Sequence, residues 1–190
     1  MNLSTNQPKQ TVNRPLEIDL GCGPNKKEGT IGTDHYPYPG VDVIFDLDRF
    51  SWPFRDNQFD AVHASHVIEH VSYIPEFITE IHRICRHGAI VSIVTPHFSS
   101  LDSWKDPTHR WHLSIDWYVP FCDPRSYLTS QLPPFEALHS DVKFSSSLRN
   151  IRPRLIKCIF GVKTWEKHFS FRYPAKNIHS RLRVIKRAEK

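Results

Sequence analysis

The segment Leu16-Glu-Ile-Asp-Leu-Gly-Cys-Gly-Pro24 constrains this chain more than any other: a short apolar strand that ends in a Gly-x-Gly turn. Glycine at such a turn lets backbone approach a ligand closely, because no side chain stands in the way. A second apolar run, Thr30-Ile-Gly-Thr-Asp34, also closes on a carboxylate. The ten residues between Gly23 and Asp34 include Pro24, Lys26, Lys27 and Gly29. A complete crossover needs a dozen or more, so the first helix is expected to be a turn or two at most. Two strand-end carboxylates around a Gly-x-Gly turn point to a nucleoside-type cofactor.

The rest of the chain repeats the strand-and-helix alternation. Val41–Phe45 reads as a third strand ending at Asp46, and Phe59–Ala64 as a fourth. Ile74, Phe77, Ile78, Ile81, Ile84 and Cys85 have helical spacing. Pro75 sits in the first turn of that helix, where proline is tolerated, and Gly88 is its expected stop. Ala89–Val94 is a fifth strand, apolar enough for burial on both faces. Phe135–Phe144 and Ile178–Lys186 complete the strands. The last alternates Ile178, Ser180, Leu182 and Val184 against His179, Arg181, Arg183 and Ile185. This alternation predicts a parallel α/β sheet, with ligand at the carboxyl ends of its strands. Gly21, Asp34, Asp46, Ser65, His66 and His97 all fall at such ends.

One domain over residues 15–190 is expected behind a frayed tail at 1–14, with two elaborations. Residues 96–120, rich in Pro, His, Trp and Ser, read as a lid over the strand ends. Residues from about 145 to 177 read as a basic, aromatic insertion, with an amphipathic helix at Leu155–Phe160. Cys22, Cys85, Cys122 and Cys158 form no CxxC pair, which argues for reduced thiols and a cytoplasmic setting. Nothing is long and apolar enough to span a bilayer. The net charge of +5 conceals an asymmetry: residues 149–190 carry 13 Lys/Arg against Glu166 and Glu189. A basic end on an acidic body suits an anionic partner or a membrane surface.

A dinucleotide fingerprint requires a third glycine three residues after the second; Lys26 stands there. There is no phosphate-binding G-x-x-x-x-G-K-[ST] loop. Instead, five motifs in order resemble the class I S-adenosylmethionine-dependent methyltransferases, in a compact form similar to the methyltransferase-11 group. They are Ile18-Asp-Leu-Gly-Cys-Gly23 with Asp34, Asp46-Leu47, Trp52-Pro-Phe-Arg-Asp-Asn-Gln-Phe-Asp60, Ala64-Ser-His-Val-Ile-Glu-His70 and Asp106-Pro-Thr-His-Arg110. The resemblance implies a Rossmann-like, mostly parallel seven-stranded sheet with an antiparallel last strand, helices on both faces and an abbreviated first helix. It implies S-adenosylmethionine as cofactor. Asp19 with the Gly21-Cys22-Gly23 backbone would hold the methionine end. Asp34, followed by His35, would accept from the ribose hydroxyls, a task suited to the paired oxygens of a carboxylate. Asp46 would face the adenine amino group and Leu47 the ring, while Ser65 and His66 line the floor near the sulfonium.

The reaction implied is in-line methyl transfer to a small or carrier-linked acceptor, directed at oxygen. An acceptor hydroxyl must lose a proton, and histidine is well suited to take it. His97, His109 and His66 are the candidates. His97, His109 and His112 with Asp106 also supply ligand types that zinc or iron accept, but their spacing matches no strong motif and no metal is expected. Trp104, Trp111, Trp117, Tyr118 and Phe121 read either as an aromatic acceptor pocket or as a local core. For the basic insertion three readings stay open: nucleic acid, an anionic membrane met by Leu155, Ile156, Ile159 and Phe160, or a dimer or fold-completing surface. Ala64-Ser-His-Val stands where many base-amino methyltransferases carry Asn/Asp-Pro-Pro-Tyr/Phe, so nucleic acid is not the expected partner. A non-catalytic binding or assembly protein on the same scaffold is the rival reading.

Overall fold

The computed structural model describes residues 14–126, 131–145 and 151–186; the expected tail lies outside them except for Arg14. Seven strands build one sheet: β1 (Glu17–Leu20), β2 (Ile31–Asp34), β3 (Val43–Ile44), β4 (Phe59–Ser65), β5 (Cys85–Pro96), β6 (Phe135–Lys143) and β7 (Asn177–Val184). Their order is β3-β2-β1-β4-β5-β7-β6. The first five pair in parallel, and β7 runs antiparallel to both neighbours, as expected. The order reverses beside β1, and that is where open α/β sheets place their ligands.

Helix α1 (Ile74–Ile84) follows from its apolar spacing. Phe77, Ile78, Ile81 and Ile84 are fully buried, each contributing about 1.5–3 kcal/mol relative to exposure. They join Ile18, Leu20, Val62 and Val91 in one core. The helix does not run on to Gly88. Cys85 leaves helical geometry at once and pairs with Phe59, whereas the next pair is Ala61 with Ile90. The extra residues form a bulge, and Gly88 sits there at φ +82° rather than at a helix stop.

The register also corrects the reading of β5 as buried on both faces. Ile18, Val62, Val91 and Leu182 form one cross-strand row, and all four are fully buried. The adjacent row of His63, Ser92 and Arg181 keeps access to solvent. Right-handed crossovers put the β1–β2 and β2–β3 connections on one face of the sheet. Neither connection contains a helix, so that face is thinly covered.

The abbreviated first helix is in fact a set of turns clamped by carboxylates. Asp19 accepts from Lys27 N at 2.8 Å, Asp34 from Gly23 N at 2.9 Å and Asp42 from Gly32 N at 2.8 Å. The Trp52–Asp60 motif is a second clamp. Trp52 is buried, its indole donates to Leu47 O at 3.1 Å, and its N–H reaches Glu80 at 2.8 Å. Arg83 of α1 binds Glu80, Asp56 and the carbonyls of Phe54 and Trp52. This motif fastens a loop to α1 and thereby fixes Asp46 and Leu47.

After β5 the lid contains two short helices, α2 (Leu101–Lys105) and α3 (Val119–Cys122). The basic insertion forms α4 (Ile151–Phe160) and α5 (Val162–Phe169) between β6 and β7. Trp165, fully buried against His97 and Phe144, anchors α5 to the core.

Candidate active site

At the carboxyl ends of β1, β2 and β4 lies a cleft of about 620 Å³. Gly21, Gly23, Asp34, His35, Asp46, Leu47 and His66 line it, seven of the positions expected to touch cofactor or substrate. Gly21 and Gly23 adopt φ +59° and +55°, a region that side chains disfavour. A Cβ on Gly21 would also meet Val67 Cγ2 at 2.5 Å. Glycine is therefore required where the turn faces the cleft. Asp34 spans the turn, one oxygen on Gly23 N and the other accepting from Tyr36 N at 2.9 Å. Each oxygen keeps acceptor capacity for a ligand diol.

His66 lies just past β4 at φ +59°. Non-glycine residues in that region concentrate at functional sites. Its N–H donates to Val94 O at 2.8 Å, which locks the turn to β5. Its Nδ1 lies 3.1 Å from Glu69 Oε1, and Asn177 Nδ2 lies 3.3 Å from its Nε2. Residues 68–70 form a turn that carries His70 to the cleft wall.

Other expected residues stand elsewhere. Asp19 is buried behind the turn and serves Lys27 N. Cys22 points its thiol at β2, within 2.9 Å of where a Gly32 Cβ would stand, and burial pushes that thiol's pKa up. Ser65 is exposed and does not line the cleft. His97 does not line the cleft. It is fully buried; Ser99 N donates to its Nδ1 at 3.1 Å, leaving Nε2 to donate to Glu166 at 2.8 Å. His109 packs edge-on against His70, ring centroids 4.6 Å apart, one layer behind the wall. His112 bonds Ser103 and stacks on Trp104, so the grouping of His97, His109 and His112 does not form. Nor do the lid aromatics line the cleft. Trp117 and Phe121 are core residues, whereas Trp104 is exposed and Trp111 sits at the edge of exposure, donating to Val71 O at 2.8 Å.

Sequence reasoning left Tyr36, Tyr38, His70 and Thr108 unassigned, though all line the cleft. Tyr36 and Tyr38 were visible as exposed aromatics just past a strand-end carboxylate. Asp106 lines it as well, its pKa held below the usual carboxylate range by hydrogen bonds from Thr108.

Residues 30–93 match the methyltransferase domain family. The 2-phytyl-1,4-naphtoquinone methyltransferase of Nostoc punctiforme is 30% identical over 80 residues, 42% of this chain and 34% of that protein. Its counterpart in another Nostoc strain is 28% identical over 88 residues, 46% of this chain and 37% of its own length. The chain thus matches about a third of the length of these curated relatives. Among solved structures, an S-adenosylmethionine-dependent methyltransferase from Archaeoglobus fulgidus aligns with TM-score 0.59 at 16% identity, covering 89% of this chain and 86% of that one. The cyclase SpnF aligns with TM-score 0.56 at 18% identity, covering 90% and 75%. At such identities the likeness shows the fold. By its strand order and these neighbours the chain has the fold of the class I S-adenosylmethionine-dependent methyltransferases, and within it residues 30–93 match the methyltransferase domain family.

Proposed function

We propose that this chain is an S-adenosylmethionine-dependent methyltransferase acting on a small or carrier-linked acceptor, directed at oxygen. One observation carries the reading: a single cleft gathers Gly21, Gly23, Asp34, Asp46 and His66 from three strand ends and the loop after β3. The cofactor supplies a methyl group already activated on a positive sulfur, so the protein's work is alignment and exclusion of water. Asp34 holds the ribose hydroxyls, Asp46 the adenine amino group and Leu47 the ring face. The side-chain-free turn at Gly21 and Gly23 admits the methionine end.

His66 is the residue we assign as general base. Glu69 accepts, so Nδ1 carries the ring proton; Asn177 donates, so Nε2 keeps the lone pair. That leaves a half-exposed imidazole at the cleft wall, oriented by a carboxylate behind it.

The curated relatives are named for a naphthoquinone bearing a phytyl chain, which supports an apolar, carrier-linked acceptor. So does α4, which leaves Ile151, Leu155 and Ile159 exposed in one stripe beside Arg152 and Arg154. An exposed apolar stripe with a basic rim suits an anionic lipid surface. Ile156 turns inward to the core and takes no part in that stripe. No helix among the described residues is long and apolar enough to cross a membrane.

The test is transfer of a labelled methyl group to a panel of hydroquinones and catechols. The expected result is labelled ether product, with His66→Ala lowering kcat by roughly 100-fold or more and leaving cofactor affinity unchanged. Tight cofactor binding with no transfer to any acceptor would favour the second reading, a non-catalytic protein. The shared fold with a cyclase shows that this scaffold is not confined to methyl transfer.

A further inference from the structure

Behind the His66 wall lie three side chains for which the cofactor has no use. Glu69, His70 and His109 each offer a ligand atom, and these atoms lie within 4.8 Å of one another. Glu69 is 1% exposed. Thr95 Oγ1 donates to its Oε2 at 2.9 Å and His66 Nδ1 to its Oε1 at 3.1 Å. Among the described residues no lysine or arginine pairs with it. A buried carboxylate is costly unless a cation completes it.

Hydrogen bonds decide where the ring protons sit. His109 Nδ1 is 3.0 Å from Ser103 O, and a carbonyl only accepts, so that nitrogen carries the proton. Thr108 Oγ1 gives its single proton to Asp106 Oδ1 at 2.7 Å. Its 2.9 Å contact with His70 Nδ1 is therefore donated by the ring. Both imidazoles are left with the lone pair on Nε2. A ring N–H pinned by an oxygen acceptor is the arrangement found behind metal-bound histidines, where it fixes tautomer and orientation. Two such imidazoles with one carboxylate form a set of three protein ligands suited to zinc and neighbouring divalent metals, with a coordination position to spare.

We propose that Glu69, His70 and His109 bind a divalent first-row cation at the acceptor side of the cleft. His70, Thr108 and Asp106 line the same space as the cofactor positions, so the spare coordination position opens toward the acceptor. Binding of the cation stands independently of the methyltransferase reading; its catalytic role rests on that reading. In that role the cation holds the acceptor hydroxyl. The O–H bond breaks, the proton passes to His66 Nε2, and the oxygen keeps the electron pair under the stabilising charge of the metal.

The test titrates zinc chloride into the full chain after chelator treatment, without cofactor, followed by calorimetry. One equivalent is expected to bind. Glu69→Gln, His70→Ala and His109→Ala are each expected to weaken zinc by about 100-fold, and Thr108→Val, which keeps the ligands but frees the His70 ring, by about 10-fold. Circular dichroism checks folding, and His70→Ala on the cleft wall keeps the test decisive if the buried Glu69→Gln fails to fold. X-ray absorption should show nitrogen and oxygen neighbours at about 2.0–2.2 Å without sulfur. No binding of zinc, manganese or ferrous iron, unchanged zinc affinity in the folded variants, or sulfur in the shell would overturn the inference. A chain that binds cofactor but no metal refutes this site alone; one that binds metal but no cofactor refutes the methyltransferase reading alone.

Discussion

The strand ends of β1–β4 and the region after β5 use their chemically capable side chains in opposite ways. In the first region, carboxylates bond backbone close by in sequence, as Asp34 does with Gly23 and Tyr36, and remain on an open cleft. In the second, polar groups are consumed in joining distant pieces. His97 reaches Glu166, Trp117 reaches Ser180, Lys163 reaches Asp116 and Lys157 reaches Asp141. Richness in histidine and tryptophan marks the second region as a structural hub. Residues 106–109 return from it to the site, as a wall and as the candidate metal ligand His109, and Asn177 returns to His66.

The largest effect expected from this contrast is on stability. His97→Ala removes a buried ring and leaves Glu166 without that partner, at a cost of roughly 3–4 kcal/mol. Denaturant unfolding should register that loss while cofactor affinity of the folded variant stays within about twofold. A large affinity loss instead would return His97 to the site.

Gly21→Ala sharpens the other side. A Cβ there clashes with Val67 at a positive φ, so a loss of about 2–3 kcal/mol is expected, together with weakened cofactor binding. Wild-type stability in this variant would mean that the turn is not held as described.

These two positions differ in how far they could be read from sequence. The places of Gly21, Asp34 and Asp46 on the cleft were legible because a strand end and the residue that faces the cleft are neighbours in the chain. The role of His97 was not, because its partner lies 69 residues away in an insertion. The stop expected at Gly88 failed for a similar reason. Pairing of Cys85 with Phe59 ended the helix early, and that pairing is tertiary. His70 closes the Ala64–His70 motif, but its link to His109 exists only in the folded chain.

A smaller effect tests how the two regions are joined. His82 of α1 donates to Ile185 O at 2.9 Å, and burial lowers its pKa. Its neutral form is favoured by folding, so its contribution is complete above the ordinary imidazole pKa of about 6.5 and fades as pH falls below it. The drop in melting temperature between pH 7.5 and pH 5.5 should shrink in His82→Gln; an unchanged drop would remove His82 from the acid sensitivity.

The smallest stability effect belongs to the exposed stripe of α4. Leu155→Glu should shift unfolding by less than about 0.5 kcal/mol yet reduce sedimentation with anionic vesicles. Unaltered vesicle binding would dismiss the lipid-facing role of α4.

The central claim is that the cleft at the Gly21 turn is a nucleoside-cofactor site held by Asp34. Calorimetric titration of S-adenosylhomocysteine into the wild-type chain and Asp34→Ala tests it most directly. The account predicts a Kd in the micromolar range for the wild type and no measurable binding for a variant that remains folded. No heat from the wild type at millimolar ligand, or equal affinity in the two proteins, would contradict it.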